Sequence, residues 1–271
     1  MEQTQQPQQH QQLSADEAAL YDRGIRLWGV SAQQKLRESR VLLLGFSVCG
    51  AEVCKNLVLA GINSLTIADN TPKTADPNEW INIFSYPEDD DSEAAAKDVH
   101  GDVVLSDSAL EHIKEMNKFV DVNACRVDPC TDTTVLNEHF FATFNFVCAC
   151  SLPLTVCARI DELCRKASVP FLCVNPLGSC AFMFTDIPFL DMDRLSSLAS
   201  SLLPPAKKQK DSAGLPFRRH ISLTEAMGLP WDRLKELRCS PLMYIISCKR
   251  ILTFVSFHFV FNLLSFFLFL K

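Results

Sequence analysis

The chain has 271 residues, of which 48% are hydrophobic, and its formal net charge is −6. This length is sufficient for one large hydrophobic core, or for one domain and part of a second. The acidic balance argues against non-specific binding to nucleic acid. Residues 1–12 are polar and rich in glutamine, which predicts a disordered tail and not a secretory signal peptide.

The twelve cysteines do not form a CxxC pair. The spacings Cys49/Cys54, Cys125/Cys130 and Cys148/Cys150 do not match a zinc knuckle, and most of these residues lie inside apolar runs. This usage is typical of reduced cysteines that pack as small core side chains in a cytosolic or nuclear protein. The six histidines are scattered along the chain, and they predict neither a metal site nor a catalytic triad.

The first predicted helix begins near Leu13, where Ser14 and Glu17 have the spacing of a capping box. The segment Tyr21–Gly29 follows, and then a second helical stretch over Ser31–Ser39. Arg23 lies well before the first strand, on a segment that is free to project outward. An ion pair with Asp22 or another neighbouring carboxylate is the alternative interpretation of Arg23.

The segment from Arg40 to Asp69 reads as one strand-turn-helix-strand unit. Val41–Leu44 is an uninterrupted apolar run, as expected for a strand that is covered on both faces. Helical spacing begins at Cys49, and Gly61 is placed to end the helix in a left-handed conformation. Leu65–Ala68 is the second strand. The unit predicts the opening of a doubly wound nucleotide-binding sheet.

The turn Gly45–Gly50 departs from the dinucleotide-binding fingerprint. Val48 stands where a glycine would let the backbone approach a phosphate. A branched side chain there shields the amides of the helix N-terminus that would otherwise hold an anion. The sequence therefore predicts a nucleotide-binding fold whose phosphate site is damaged.

The remaining elements complete an α/β fold with a doubly wound, mostly parallel sheet. The chain divides into a tail (1–12), an α/β domain (13–190), a linker with a lysine cluster (191–215), a partial return to the domain (216–240) and a hydrophobic tail (241–271). Within the domain we predict a third strand Lys118–Ala124, a helix Thr133–Phe141, a fourth strand Phe144–Cys150, a helix Leu154–Ala167, a fifth strand Val169–Val174, and a hairpin return to Phe184 through a turn at Pro176–Gly178.

The motif YDRGIRLWG, followed by LRESRVLLLGFSVCGAEVCKNLVLAGINSLTIAD, resembles the N-terminus of the activating enzymes for ubiquitin-like proteins, the ThiF/MoeB-related family. The resemblance covers about Leu13 to Asp186 and returns over Arg218 to Glu236 in RRHISLTEAMGLPWDRLKE. It implies a Rossmann-like ThiF domain that works in pairs. Active halves of the family bind ATP and adenylate a C-terminal glycine, and inactive halves pair with them.

Three departures from the family pattern imply that this chain is an inactive half. Glu79, in Asp76–Trp80, stands where active halves carry an arginine for the ATP phosphates. The acidic run Glu88–Glu93 replaces a Gly-Lys-x-Lys run, and Cys148–Ser151 lacks the aspartate that binds Mg²⁺. By resemblance, ATP and Mg²⁺ belong to the partner subunit, and no cofactor binds to this chain alone. Gly45, Gly50 and Asp69 would then be vestigial nucleotide-site positions, with Asp69 corresponding to the ribose ligand.

The resemblance assigns one functional residue to this chain, Arg23. In the family, the arginine of the YDR motif in the inactive half reaches across the dimer interface to the nucleotide in the active half. The implied partner is a larger catalytic subunit, which adenylates a SUMO-like modifier and takes it onto its own thioester cysteine. No cysteine of this chain has a basic setting that would make it a nucleophile; Cys239 has only Arg238 beside it.

Three alternatives to this function stay open. The first is the equivalent subunit for the NEDD/Rub modifier, although RRHISLTEAMGLPW and the lysine-rich linker favour a SUMO-like one. The second is a non-enzymatic, membrane-attached scaffold with an inactive nucleotide fold. The third is an NAD-dependent oxidoreductase, which Val48 argues against.

The C-terminal end differs most from the family. Ile251–Leu270 is a run of 20 residues rich in Phe, Leu and Ser, preceded by Lys249 and Arg250. One interpretation is a misread or truncated end, which would leave the sheet incomplete. The other two interpretations are a membrane anchor with a cytoplasmic basic flank and a buried helix. Lys207–Lys210 indicates a nuclear import signal or a solvated loop, so we expect a nuclear and cytoplasmic protein unless the tail is an anchor.

Overall fold

The computed structural model describes residues 13–72, 104–177, 180–187, 222–228 and 244–247. The described strands are β1 (Arg40–Leu44), β2 (Ser64–Ala68), β3 (Asp121–Cys125), β4 (Phe146–Cys150), β5 (Phe171–Leu177), β6 (Cys180–Asp186) and β7 (Tyr244–Ser247). The described helices are α1 (Ala15–Leu20), α2 (Asp22–Trp28), α3 (Val30–Arg37), α4 (Val48–Ala60), α5 (Leu105–Met116), α6 (Glu138–Phe141), α7 (Leu154–Lys166) and α8 (Leu223–Met227).

The strands form one sheet in the order β3-β2-β1-β4-β5-β6-β7. Strands β1 to β5 pair in parallel, and β6 and β7 add antiparallel pairs at one edge. The predicted doubly wound, mostly parallel sheet is therefore confirmed. The strand order reverses between β1 and β4, which is where a sheet of this kind opens a crevice at the carboxyl ends of its strands.

Both faces of the sheet are covered, and β1 shows why. Val41 and Leu43 belong to one core cluster, whereas Leu42 and Leu44 belong to the other, and all four side chains are buried. Helices α4 and α5 contribute to the first cluster, and α6, α7 and α8 contribute to the second. A strand that is buried on both sides needs an uninterrupted apolar sequence, which is what this segment has.

The local start and stop signals in the first 70 residues are confirmed. Ser14 and Glu17 form a complete capping box at the start of α1. Ser47 caps α4, and Gly61 ends it with φ +77° in the left-handed region, where glycine has no steric penalty.

Two predicted boundaries are wrong because polar side chains hold turns where we expected regular structure. The third strand begins at Asp121, since Asn117 accepts the amides of Phe119 and Val120 in a turn after α5. The helix predicted over Thr133–Phe141 begins only at Glu138. Asn137 has an extended backbone and its side chain accepts the Phe140 amide, which caps the helix there, and the residues before it form turns.

The fifth strand also differs from its prediction of Val169–Val174. The Val169 amide donates to the Cys164 carbonyl in the turn after α7, so β5 begins at Phe171 and continues to Leu177. Its antiparallel partner β6 confirms the predicted hairpin return, but the turn placed at Pro176–Gly178 begins too early, because Pro176 and Leu177 still pair with Ala181 and Cys180.

Two later segments join the domain. Helix α8 lies within the predicted return over 216–240, and its Leu223 side chain is fully buried in the second core cluster. Strand β7 pairs with β6, from Tyr244 opposite Met183 to Ser247 opposite Cys180. This part of the range 241–271, which we assigned to a hydrophobic tail, therefore belongs to the sheet.

Several predictions fall outside the described residues: the tail over 1–12, Glu79, the acidic run over 88–93, the lysine cluster over 207–210, Cys239 and the apolar run over 251–270. Among the helices that the structure does describe, none is both long enough and apolar enough to span a bilayer.

Candidate functional site

The crevice at the carboxyl ends of β1 and β4 is lined by a tightly packed turn. Gly45 has φ +86°, and a Cβ on it would lie 2.5 Å from the Cys150 carbonyl oxygen of β4. A Cβ on Gly50 would collide with the Gly45 carbonyl oxygen. The structure thus gives both glycines a packing role, because they let the turn and the start of α4 approach β4 closely.

The N-terminus of α4 is already capped by its own chain. The Ser47 hydroxyl accepts the Gly50 amide at 3.3 Å and pairs with the Ser151 hydroxyl of the β4 loop at 2.7 Å. Val48 is the first residue of the helix, and 40% of it is exposed. An anion approaching this N-terminus would meet a branched side chain and an amide that has already found an acceptor.

Asp69, the predicted vestige of a ribose ligand, is buried at the end of β2. Its Oδ1 accepts the Phe46 amide at 3.2 Å and the Thr71 hydroxyl at 2.9 Å, and its Oδ2 accepts the Thr71 amide at 3.1 Å. The carboxylate therefore ties the loop after β1 to the loop after β2. A ribose hydroxyl would have to share this carboxylate with three donors from the chain itself.

The end of β4 offers thiols in place of a carboxylate. Cys148 and Cys150 are fully buried, with their sulfur atoms 3.7 Å apart. Burial raises the pKa of Cys54, Cys125, Cys148 and Cys164. Burial also raises the pKa of the exposed Cys130, and the neighbouring Asp128 raises it further. These cysteines are neutral thiols, which are poor nucleophiles and poor metal ligands.

The crevice in the described part of the chain does not fit an adenylation centre for ATP and Mg²⁺. The helix N-terminus is capped, Asp69 already accepts three hydrogen bonds from its own chain, and the β4 end carries no carboxylate between Cys148 and Ser151. No group of three His, Cys, Asp or Glu residues in the described ranges is arranged to hold a metal ion.

Arg23 lies away from this crevice, on the exposed face of α2. The alternative pairing with Asp22 is wrong, because both carboxylate oxygens of Asp22 accept from Arg26, at 3.1 and 3.0 Å. Among the described residues, Arg23 makes no ion pair. Within this part of the chain, the exposed guanidinium group is therefore not committed to a carboxylate.

Comparison with known proteins identifies the fold and its relatives. Residues 21–72 match the ThiF family. SUMO-activating enzyme subunit 1 of Homo sapiens is 35% identical over 175 residues, which cover 65% of this chain and 46% of the human protein. DNA damage tolerance protein RHC31 of Saccharomyces cerevisiae is 30% identical over 240 residues, which cover 88% of this chain and 64% of the yeast protein. The chain therefore carries a ThiF-family segment over residues 21–72.

The ThiF fold is also seen in a solved structure. The structure described as SeMet PaaA superposes with a TM-score of 0.61 at 15% identity, covering 95% of this chain and 76% of that one. Likeness at this identity concerns the fold alone. The chain spans about half the length of the vertebrate relatives it matches, for example 46% of the human and zebrafish (Danio rerio) proteins.

The sequence did not single out two clusters that hold short helices in this ThiF domain. One holds α2 and consists of Tyr21, Trp28, Gln33 and Asn117. In the other, Asp161 binds the start of α8 and interacts with Asp186, which pairs with Arg165. The motif YDRGIRLWG contains Tyr21 and Trp28 and was the one sequence signal for the first cluster. The second joins residues from α7, β6 and α8, and no local pattern connects them.

Proposed function

We propose that this chain is the non-adenylating subunit of a heterodimeric SUMO-activating enzyme. It supports ATP-dependent adenylation of a SUMO-like modifier, and its thioester transfer, by a larger catalytic partner. The observation that carries the proposal is a contrast within the chain: the nucleotide crevice is filled by the chain's own groups, whereas Arg23 is exposed and unpaired among the described residues.

The relatives support the choice of enzyme. They are named as subunit 1 of a SUMO-activating enzyme. The separate ThiF match over residues 21–72 includes the strand-turn-helix unit of this chain. In the proposal, ATP and Mg²⁺ belong to the partner, and Arg23 is lent to its phosphate site. A guanidinium is suited to this role because it forms paired, charge-assisted hydrogen bonds to phosphate oxygens.

The test is ATP–pyrophosphate exchange with a SUMO-like modifier, using this chain alone, a larger activating-enzyme subunit alone, and both together. We expect exchange only in the mixture. Arg23→Ala in the mixture should lower kcat/KM for ATP by about 100-fold, since the loss of a preorganised charge on a reacting phosphate has effects of this order.

Arg126→Ala is the control, because Arg126 is an exposed arginine that is paired with Asp107, and its removal leaves the pairing of Arg26 with Asp22 intact. It should leave exchange unchanged. Exchange by this chain alone would contradict the closed crevice, and equal effects of the two substitutions would contradict the lent arginine. A parallel series with a NEDD/Rub-like modifier decides between the two modifiers.

We also propose a nuclear and cytoplasmic location, on the basis of the lysine cluster at 207–210. Fractionation of cells that express the chain tests it: recovery in carbonate-resistant membranes would contradict this location and favour an anchor.

A further inference from the structure

The short helix that carries Arg23 has no buried residue of its own. Helix α2 is seven residues long, and its residues are exposed or only partly buried. A helix of this length is not stable alone in water. Contacts at its two ends must therefore hold it in place, and those contacts set the direction in which Arg23 points.

The first contact is at Tyr21, directly before α2. Its hydroxyl accepts the Asn117 side-chain amide at 2.8 Å, and the same Nδ2 donates to the Val58 carbonyl at 2.8 Å. The Tyr21 ring packs on Gly61, where a Cβ would lie 2.6 Å from the ring Cε1 and from Oη. Tyr21 therefore fits a socket formed by the ends of α4 and α5.

The second contact is at Trp28, the last residue of α2. Its Nε1 donates to the Gln33 side chain at 3.2 Å, and the Gln33 amide donates to the Ala60 carbonyl at 2.9 Å. Gln33 is fully buried. The Trp28 ring lies against its own helix at Gly24, where a Cβ would be 2.9 Å from the ring Cη2.

Both contacts end on the last turn of α4, at the carbonyls of Val58 and Ala60. The motif YDRGIRLWG therefore divides into two kinds of residue. Tyr21, Gly24 and Trp28 fasten the helix, whereas Arg23 and Leu27, which follow each other at i and i+4, face outward and are exposed. Two attachment points on one rigid helix end fix the axis of α2 and also its rotation.

We propose that Tyr21 and Trp28 are positioning residues for Arg23, acting through Asn117 and Gln33, and that this two-point attachment aims the guanidinium at the partner's phosphate site. The inference rests on the proposed function, because it assigns to α2 the delivery of Arg23. Small errors of placement reduce catalysis strongly, so a looser attachment should reduce the benefit of Arg23 without removing the residue.

The experiment uses the reconstituted heterodimer and ATP–pyrophosphate exchange. Tyr21→Phe removes the hydroxyl and Trp28→Phe removes the N–H donor, and each retains an aromatic ring. We expect each to lower kcat/KM for ATP by about threefold to tenfold when Arg23 is present, and to have almost no further effect in the Arg23→Ala background. This non-additivity is the signature of a residue that acts through another.

Asn137→Ala controls for a loss of stability without a change at α2. It removes the cap of α6, where the Asn137 side chain accepts the Phe140 amide at 3.0 Å, and it should leave the ATP kinetics unchanged. The heterodimer affinity is measured for every variant and identifies any variant that no longer assembles. In that case Asn117→Ser repeats the test, because it removes the donor of the hydrogen bond to the Tyr21 hydroxyl.

The outcomes separate this inference from the proposed function. If Arg23→Ala is harmless, or the mixture is inactive, the proposed function fails and this inference fails with it. If Arg23→Ala is damaging but Tyr21→Phe and Trp28→Phe are harmless, or act equally with and without Arg23, only the positioning role fails.

Discussion

The two short helices α2 and α8 are attached to the same domain by different chemistry. Neutral amide, indole and phenol groups hold α2. The start of α8 is held by a buried carboxyl group, because the Leu223 amide donates to Asp161 Oδ2 at 2.6 Å. Neutral hydrogen bonds persist across the physiological pH range, whereas a buried carboxyl group titrates. The difference predicts that the α2 attachment is insensitive to pH and that the α8 attachment is not.

The α8 attachment contains two buried acids and one arginine. Asp161 and Asp186 are both buried, and Arg165 binds Asp186 through Nε and, at 3.0 Å, through Nη2. Burial raises the pKa of Asp161 to about 7, with the neighbouring Asp186 raising it and the Leu223 amide and Arg165 opposing the rise. Asp161 Oδ1 accepts no hydrogen bond from a described residue. A protonated Asp161 can instead donate to the Asp186 carboxylate.

Arg165→Met should produce the largest loss of stability. It retains most of the apolar stem and leaves two buried carboxyl groups without their cation. Removing one partner of a buried ion pair costs about 3 kcal/mol or more, and urea unfolding at pH 8 would measure the loss. At pH 5 we expect a smaller loss of stability, because the carboxyl groups of Asp161 and Asp186 can be protonated.

Arg126→Met is the matched control for this substitution. Arg126 bonds Asp107 at 2.7 Å, but its side chain is 57% exposed, and surface pairs contribute about 0–1 kcal/mol. Equal losses from the two substitutions would show that the α8 attachment has no special electrostatic character.

Asp161→Asn should change how stability depends on pH. The pKa of an aspartate in the unfolded chain is about 3.9, whereas the pKa of Asp161 in the folded chain is about 7. Between these values the folded state holds a proton that the unfolded state has released. The contribution of Asp161 is therefore complete below about pH 4 and falls by about 1.4 kcal/mol per pH unit as the pH rises towards 7.

Asparagine keeps an acceptor for the Leu223 amide but cannot ionise. The free energy of unfolding of the variant should therefore rise relative to the original chain by about 2 kcal/mol between pH 5.5 and 7. Urea midpoints across this range are the measurement. Asp121→Asn removes an exposed carboxylate and serves as the control; a pH profile of Asp161→Asn that parallels the original chain would exclude a titrating attachment.

The comparison also shows what the sequence could predict. The strand Val41–Leu44, the capping box at Ser14 and the helix end at Gly61 follow from local patterns, and the structure confirms them. The socket of Tyr21 joins residues 96 positions apart, and Asp161 and Leu223 are 62 positions apart. Such pairs depend on how the helices are placed on the sheet, so periodicity and spacing could not reveal them.

The same limit applies to the candidate site. Val48 and the missing carboxylate in Cys148–Ser151 could be read from the motif, and both indicated a damaged crevice. The donors to Asp69 could not be read from it, because the Phe46 amide comes from the loop of another strand. The exposed position of Arg23 was expected. Its freedom from Asp22 depended on a competition with Arg26 that the sequence left undecided.

Gly61→Ala tests the neutral attachment, and the part of its cost that depends on the Tyr21 ring should be the smallest of the three effects. Alanine at φ +77° costs about 1–2 kcal/mol from backbone strain alone, and its methyl group would also press on the Tyr21 ring. In a Tyr21→Ala background only the strain remains, so Gly61→Ala should cost about 1 kcal/mol less there.

The difference should be the same at pH 5.5 and pH 7, because burial raises the pKa of Tyr21 from its ordinary value near 10 and so keeps the phenol neutral. Urea unfolding of the four chains at both pH values measures it. A cost of Gly61→Ala that is unchanged by the loss of the ring would show that Tyr21 does not occupy this socket in solution, and a cost that varies with pH would remove the contrast between the two helices.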